Sequence, residues 1–188
     1  MYFQLPDYQN ILYTFTKGIC RYTQNFEYIL LAGSKTLQNT IRKSIEQAQQ
    51  IYLQLTEMTP QIENAAKIII QKLSAGGKLL VMGNGGSAAD AQHITAELVG
   101  RFEMDHKPIP AIAMTTNSSI LTAVSNDFGF DDVFLRQVKA FVKPEDAVIA
   151  ISTSGTSPNI NKAAEYARSA GAAVIGLSGK DGGQLKDL

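Results

Sequence analysis

The sequence has only one cysteine, no excess of either charge and no long apolar run, and each of these features excludes a class of protein. The lone Cys20 rules out an internal disulfide framework and is compatible with a reducing compartment. Seventeen basic and seventeen acidic residues cancel, so nothing indicates a nucleic-acid footprint or a polybasic membrane patch. No apolar stretch approaches the length of about 20 residues that a membrane span needs. We therefore expect no nucleic acid and no membrane as partners.

What remains is the composition of one folded domain with a substantial core. Of the 188 residues, 45% are hydrophobic, and the mean hydropathy is −0.04. Residues 1–34 stand apart because they are rich in aromatic side chains and carry few charges. They lack the basic start and the long apolar core of a secretory signal. We interpret residues 1–34 as an N-terminal extension of unknown role and residues 35–188 as the folded domain.

Two amphipathic helices are predicted before the first strand. Residues 36–57 carry apolar side chains at spacings of three and four, which is the pattern of one buried helical face. Pro60 suits the first turn of a second helix, which continues to Ser74 and is stopped by Gly76 and Gly77. A helical pair is therefore expected to precede the sheet.

Beyond residue 77 the chain alternates short apolar runs with helical patterns. The apolar runs suit strands that are buried on both faces, and they cover residues 78–82, 110–114, 147–151 and 173–177. The helical patterns cover residues 88–100, 117–125, 131–142 and 158–170. Strands that alternate with helices indicate a parallel sheet with right-handed crossovers. The sequence therefore predicts an α/β fold, a parallel sheet flanked by helices.

A glycine turn, GNGGS at residues 83–87, joins the first of these strands to its helix. Glycines let the backbone approach a ligand closely, and the helix N-terminus offers unpaired N–H groups to an anion. His93 and Glu97 lie four residues apart on the polar stripe of that helix, so both can ligate one metal ion or act on one substrate. Alone, such a pair is more often an ordinary solvated pair. Its position directly after a glycine-rich strand end favours a site.

A hydroxyl-rich loop, STSGTSP at residues 152–158, follows another buried strand. Its hydroxyls and N–H groups suit a phosphate held without net basic charge, and Ser157 with Pro158 suits an N-cap and a first helical turn. The alternative is a turn that only caps a helix. Because the carboxyl ends of parallel strands meet at one edge, this loop and the glycine turn should converge on one crevice. Asn126 and Asp127 suit a turn closed by Gly129.

Two nucleotide-binding patterns do not fit the glycine turn and the strand that follows. Residues 83–88 satisfy G-x-G-x-x-A, but an acidic residue should end the next strand to hold a ribose, and that strand ends in Met114, Thr115 and Thr116. A P-loop needs a lysine before its serine or threonine, and the glycine turn contains none. Neither a dinucleotide nor a nucleoside triphosphate is therefore expected.

Four segments of the chain together resemble one known family. They are GNGGSAADAQHITAELVGR at residues 83–101, NDFGF at 126–130, ISTSGTSPN at 151–159 and GLSGKDGG at 176–183. In this order they closely resemble the phosphoheptose isomerases, whose sugar-isomerase (SIS) domain is flavodoxin-like. The resemblance implies a cytoplasmic bacterial homotetramer that binds one zinc ion per subunit. It further implies conversion of sedoheptulose 7-phosphate to D-glycero-D-manno-heptose 7-phosphate, the entry to the heptose of lipopolysaccharide cores.

The resemblance also implies roles for individual residues. The implied substrate contacts are Asn84, Gly85 and Gly86 in the turn, Ser87, Ser152, Thr153, Ser154 and Ser157 around the phosphate, Asn126 and Asp127 on the sugar, and Arg101 at the pocket's edge. His93 and Glu97 match zinc ligands, and Glu97 also matches a substrate-contacting catalytic acid/base. Such a base would shuttle a carbon-bound proton through an enediol while an electrophile stabilises the developing oxyanion.

The chain departs from the family pattern at both ends. Residues 1–34 have no recognised counterpart, and the family's glutamine and histidine, which complete the zinc site, lie on a C-terminal helix after the position matching Leu188. We therefore expect a truncated SIS domain in which zinc keeps two ligands, short of the usual three or four. The alternative is a non-catalytic SIS protein that binds a phosphosugar or associates with a replication initiator. Such relatives lack the helix glutamate, so the presence of Glu97 favours the isomerase.

Overall fold

The computed structural model describes residues 2–3 and 34–188. The helices are α1 (Ser34–Leu55), α2 (Thr59–Ser74), α3 (Gly86–Val99), α4 (Ser118–Phe128), α5 (Val133–Phe141) and α6 (Pro158–Ser169). The strands are β1 (Tyr2–Phe3), β2 (Leu79–Gly83), β3 (Ala111–Ala113), β4 (Ala147–Ser152) and β5 (Ala173–Ser178). Short 3₁₀ turns cover Thr56–Met58, Phe130–Asp132 and Gly183–Asp187. Most of the predicted N-terminal extension lies outside the described residues.

The strands form one parallel sheet in the order β1-β5-β4-β2-β3. In its centre β2 and β4 pair over their whole shared length, from Leu79 opposite Ala147 to Gly83 opposite Ile151. Every residue of these two strands is buried, as expected where helices cover both faces of a parallel sheet. The predicted α/β class with a parallel sheet flanked by helices is confirmed.

Alternate residues of the central strands build two separate cores. Leu80 and Met82 of β2 point to the face that α5 and α6 cover, where they join Val138 and Ile160. Leu79 and Val81 point to the opposite face, which α2 and α3 cover. Successive side chains of a strand alternate between faces, so β2 contributes to both cores. The domain therefore has three layers, with α3 and α6 on opposite sides of the sheet.

The amino edge of the sheet is tied together by one buried carboxylate. Asp146 accepts hydrogen bonds from the Lys78 amide (2.9 Å), from Lys78 Nζ (2.7 Å) and from the Lys143 amide (2.7 Å). Since Asp146 precedes β4 and Lys78 precedes β2, these bonds hold the two central strands in register.

None of the helices in the described part of the chain combines the length and apolar character that a membrane crossing requires.

Two boundaries differ from the sequence prediction in ways that concern the site. Helix α3 begins at Gly86, two residues before the predicted start, so part of the glycine turn is its first turn. The prediction that Asn126 and Asp127 lie in a turn is wrong, because α4 continues to Phe128. Gly129, with φ of 94°, ends the helix after both residues, since glycine tolerates a positive φ.

Candidate functional site

A cleft of about 330 Å³ opens at the carboxyl edge of the sheet, between β2 and β4. Such a volume is within the range of small-molecule sites, which is about 300–1,000 Å³. The cleft is lined by Asn84, Ser87, Ile151, Ser152, Thr153, Ser154, Ser157 and Lys180. The glycine turn and the hydroxyl-rich loop thus meet in one place.

Strand order explains why the cleft lies between β2 and β4. From β2 the chain passes through α3 to β3 on one side, and from β4 it passes through α6 to β5 on the other. Because α3 and α6 pack on opposite faces of the sheet, the two connections diverge and leave a crevice between them. Ligands of open α/β sheets bind at such a switch point.

The glycine turn is shaped by steric exclusion. A side chain on Gly83 would meet the Ser87 carbonyl oxygen at 2.5 Å, so only glycine lets α3 begin so close to the strand. Gly85 has φ of 57°, which is unfavourable for other residues, and it has open space around it. Gly85 and Gly86 are exposed, whereas Ser87 is buried against the cleft. The turn therefore presents backbone at the cleft and one buried hydroxyl beside it.

A reciprocal pair of amides joins the two loops across the cleft. Asn84 Nδ2 donates to Asn159 Oδ1, and Asn159 Nδ2 donates to Asn84 Oδ1, both at 2.9 Å. Asn159 is buried, and its Oδ1 also accepts from the amide of Ile160. The bonds fix the start of α6 relative to the glycine turn. Sequence reasoning missed Asn159, whose partner lies 75 residues away.

The hydroxyl-rich loop presents its side chains to the cleft rather than to its helix. Ser157 occupies the N-cap position of α6, but its hydroxyl makes no capping bond. Ser157 Oγ instead lies 3.0 Å from Ser152 Oγ, in a hydrogen bond between the two hydroxyls. Ser154 Oγ accepts from the Thr156 amide (3.2 Å) and from Thr156 Oγ1 (2.9 Å). The loop with the α6 N-terminus thus offers hydroxyl and N–H groups to an anion.

The turn after β5 is fastened to this loop by backbone contacts. The Gly179 amide donates to the Thr153 carbonyl (3.1 Å), and the Leu185 amide donates to the Gly155 carbonyl (2.9 Å). Gly155 has φ of 67°, and a Cβ there would overlap the Gly182 carbonyl oxygen. This arrangement carries Lys180 to the cleft. Sequence reasoning missed Lys180, although it is the only basic residue of the segment GLSGKDGG.

The other predicted site residues lie outside the cleft. His93 and Glu97 come together on α3, with His93 Nε2 at 3.6 Å from Glu97 Oε1. The His93 side chain is 76% exposed and that of Glu97 33%. Arg101 is exposed beyond the end of α3. Asn126 and Asp127 are exposed at the end of α4, where Asn126 Nδ2 donates to Asp127 Oδ1. The roles assigned to these five residues, like those of the cleft residues, stay predictions.

A zinc ion is not fully provided for by the residues at hand. His93 and Glu97 are suitable donors, but zinc sites in proteins use three or four protein ligands. Within residues 2–3 and 34–188, no group of three histidine, cysteine, aspartate or glutamate side chains could hold a metal ion. The described donors therefore form part of a zinc site at most.

Asp90 carries an unusual carboxyl group one turn before His93. Its Oδ2 is buried and has no hydrogen-bond partner in the described part of the chain. Burial raises the pKa of Asp90 above its ordinary value, because the charged form loses hydration, and nearby His93 offsets part of this effect. The charged form of Asp90 is therefore disfavoured in the folded chain.

Known proteins resemble this chain in both sequence and structure. The SIS domain family matches residues 23–179. A phosphoheptose isomerase from Citrifermentans bemidjiense is 54% identical over 132 residues, which are 70% of this chain and 69% of the relative. Another phosphoheptose isomerase, from Rhodospirillum rubrum, is 47% identical over 152 residues, which are 81% of each chain.

Two solved structures share the fold over most of its length. A phosphoheptose isomerase from Francisella tularensis superposes with a TM-score of 0.77 at 40% identity, covering 80% of this chain and 79% of the other. One from Neisseria gonorrhoeae gives a TM-score of 0.75 at 38% identity, covering 81% of this chain and 80% of the other. The likeness extends well beyond the motifs around the cleft.

Proposed function

Because this chain belongs to the phosphoheptose isomerases of the SIS domain family, we propose that it converts sedoheptulose 7-phosphate to D-glycero-D-manno-heptose 7-phosphate. The reaction exchanges a ketose for an aldose and needs no second substrate. The non-catalytic alternative is not favoured, since the relatives and the solved structures with this sequence and fold are named as isomerases.

The observation that carries the proposal is the cleft between β2 and β4. Its hydroxyl lining, of Ser87, Ser152, Thr153, Ser154 and Ser157, suits the phosphate at C7 of the substrate. A phosphate oxygen accepts hydrogen bonds from hydroxyl and N–H groups, and such charge-assisted bonds are stronger than neutral ones. Binding of the phosphate by the cleft would fix one end of the sugar.

The carbonyl end of the substrate needs a base at some distance from the phosphate. C1 and C2 lie at the far end of a seven-carbon chain from C7. Glu97 is ten residues along α3 from Ser87, which places it about 15 Å further along the helix axis. As the base, Glu97 would take a proton from C1 of the ketose while the C2 oxygen gains a proton, which gives the 1,2-enediol. Return of a proton to C2, with loss of the proton on the C1 oxygen, would then give the aldose.

We also propose the wider setting that family membership suggests, a cytoplasmic homotetramer that serves lipopolysaccharide heptose synthesis. Six large apolar side chains of the described part of α1 and α2 are exposed in the single chain, namely Ile41, Ile45, Tyr52, Leu53, Ile62 and Ile70. Association of copies would cover such side chains, because contiguous exposed apolar surface favours contact between proteins. Zinc, one ion per subunit, would take His93 and Glu97 as two of its ligands, and when bound it would act as a Lewis acid.

A direct assay tests the proposed function. The protein is incubated with sedoheptulose 7-phosphate in D₂O, with and without added zinc, and NMR follows the appearance of the aldose. An enediol route predicts deuterium at C2 of the product, since the transferred proton exchanges with solvent. Unphosphorylated sedoheptulose is the control and should react far more slowly. Absence of aldose under both metal conditions would refute the proposed activity for this chain.

A further inference from the structure

Lys180 is the only cationic side chain among those that line the cleft in the described part of the chain. The other lining residues are neutral: two kinds of hydroxyl, one amide and one apolar side chain. A phosphate monoester carries up to two negative charges near neutral pH. Hydroxyls and N–H groups can solvate that charge, but they cannot neutralise it. A cation at the rim of the cleft would supply the missing counter-charge.

The backbone of Lys180 is strained in a way that its neighbours avoid. Its φ is 54°, and it is the only residue other than glycine with a positive φ among the described residues. Gly182 and Gly183, in the same turn, also have positive φ and tolerate it without strain. Glycine would adopt the positive φ at position 180 with less strain than lysine does. A lysine held in this conformation calls for a functional explanation, since strain of this kind clusters at ligand sites.

The turn that holds Lys180 is fixed to the hydroxyl-rich loop rather than free to move. Gly179, immediately before Lys180, donates its amide to the Thr153 carbonyl at 3.1 Å, and the Gly182 amide closes the turn onto the Gly179 carbonyl at 3.1 Å. Lys180 is itself exposed, and the hydrogen bonds of Gly179 and Gly182 hold its backbone beside the cleft. The residue is therefore well placed to meet an incoming anion.

We propose that Lys180 is the charge-neutralising residue for the substrate's phosphate and that it sets the preference of the cleft for phosphorylated over unphosphorylated sugars. This inference rests on the proposed function, and it adds a contact that neither the hydroxyl lining nor the resemblance assigned. Lys180 touches the phosphate and not the reacting carbons. It should therefore affect substrate affinity much more than the rate of the proton transfer.

Two variants separate the charge of Lys180 from its backbone. Lys180→Gly keeps the left-handed turn without strain and removes the ammonium group, whereas Lys180→Arg keeps a positive charge. We expect Lys180→Gly to weaken sedoheptulose 7-phosphate binding by about 10- to 100-fold, measured by calorimetry, and Lys180→Arg to restore most of it. Binding of unphosphorylated sedoheptulose should not change. In turnover assays KM should rise with kcat within about threefold of wild type.

The matched control is Lys143→Met, an exposed lysine at the opposite edge of the sheet. It should leave affinity unchanged, and raising the salt concentration should weaken phosphate-ester binding more in wild type than in Lys180→Gly. Equal affinity of wild type and Lys180→Gly for the phosphate ester would overturn the proposal. If wild type does not isomerise the sugar, the proposed function fails, and the calorimetric comparison still decides the role of Lys180.

Discussion

The hydroxyl-rich loop and the His93–Glu97 segment of α3 were both predicted to contact substrate, yet the fold treats them differently. In the loop, Ser152 is buried and hydrogen-bonded, and Gly155 packs against the turn after β5. Asn159, which follows the loop in α6, is also buried and hydrogen-bonded. On α3, His93 is largely exposed, and its 3.6 Å contact with Glu97 is long for a hydrogen bond. The side chains of the hydroxyl-rich loop are therefore positioned by contacts with other parts of the fold. Those of His93 and Glu97 are positioned mainly by the backbone of α3.

This difference separates binding from chemistry. Side chains whose partners lie within the fold are held in one geometry whether or not a ligand is present. Exposed side chains gain a fixed geometry only when a ligand, a metal ion or another protein surface contacts them. The cleft at β2 and β4 is therefore the part of the proposed site that this chain completes alone. The proposed catalytic end, at Glu97, would depend on what binds next to that residue.

The largest expected effect is the loss of turnover when Glu97, the proposed catalytic base, is replaced. Glu97→Gln preserves the shape of the side chain and removes its basicity, so isomerase turnover should fall by about 10²- to 10⁴-fold. Because the contact of Glu97 with His93 is long, at 3.6 Å, and the His93 side chain is largely exposed, the melting temperature should stay within about 2 °C of wild type. Glu165→Gln, at an exposed position of α6, is the control. Near-normal turnover of Glu97→Gln would remove Glu97 from the mechanism.

Two glycine substitutions, one in the hydroxyl-rich loop and one in the glycine turn, test how tightly the loop is packed. Gly155→Ala should destabilise the fold by roughly 3 kcal/mol or more, because the new Cβ overlaps Gly182 in addition to the unfavourable φ. Gly85→Ala has a positive φ but open space, so we expect about 1–2 kcal/mol. The measurement is the free energy of unfolding in urea. Equal losses at the two positions would show that the loop and the turn after β5 are not tightly packed.

Serine substitutions test whether the hydroxyl-rich loop binds the phosphate of the substrate. Ser152→Ala and Ser154→Ala should each weaken phosphosugar binding by roughly 1.5–3 kcal/mol, the value of a hydrogen bond to a charged group. Ser152→Ala should also lower stability, since Ser152 is 3% exposed and bonds to Ser157. Ser169→Ala, at the other end of α6, is the control for calorimetry. Unchanged affinity in both variants would move the phosphate out of this cleft.

The smallest effect concerns Asp90, which lies one turn before His93 on α3. Burial raises its pKa, so its carboxyl contributes favourably below about pH 4 and this contribution is lost as the pH rises through the raised pKa. Asp90→Asn removes that titration. Its melting temperature relative to wild type should therefore increase from pH 4 to pH 8. Asp105→Asn, which is exposed, should show no such trend, and a flat difference for Asp90→Asn would contradict the assignment.

Much of the fold could be predicted because its strands are buried on both faces. Such strands are continuous apolar runs, and β4 was predicted at residues 147–151 against the observed Ala147–Ser152. The strand ends then indicated which loops would meet. The predicted end of α4 was wrong because Asn126 and Asp127 are residue types that are common in turns. In the structure the two side chains hydrogen-bond to each other within the helix, and Gly129 ends it.

The site was less predictable because its precision comes from contacts distant in sequence. The amide pair of Asn84 and Asn159 exists only once two loops have been brought together. Lys180 resembles a solvated lysine in a glycine-rich turn, and its positive φ depends on a turn fastened to Thr153. Local pattern thus predicts which residue types surround the cleft, and tertiary contacts decide which of them face it.

The close approach of Gly155 to Gly182 has a consequence for the thermodynamics of binding. A loop that is mobile before binding must lose conformational entropy when a ligand orders it, and this loss subtracts from affinity. Here the backbone of residues 152–155 is already held by the amides of Gly179 and Leu185. Its entropy is therefore lost during folding rather than during the encounter with an anion. We expect phosphate to enter a preorganised cradle, with little change in backbone hydrogen exchange at Thr153 and Gly155.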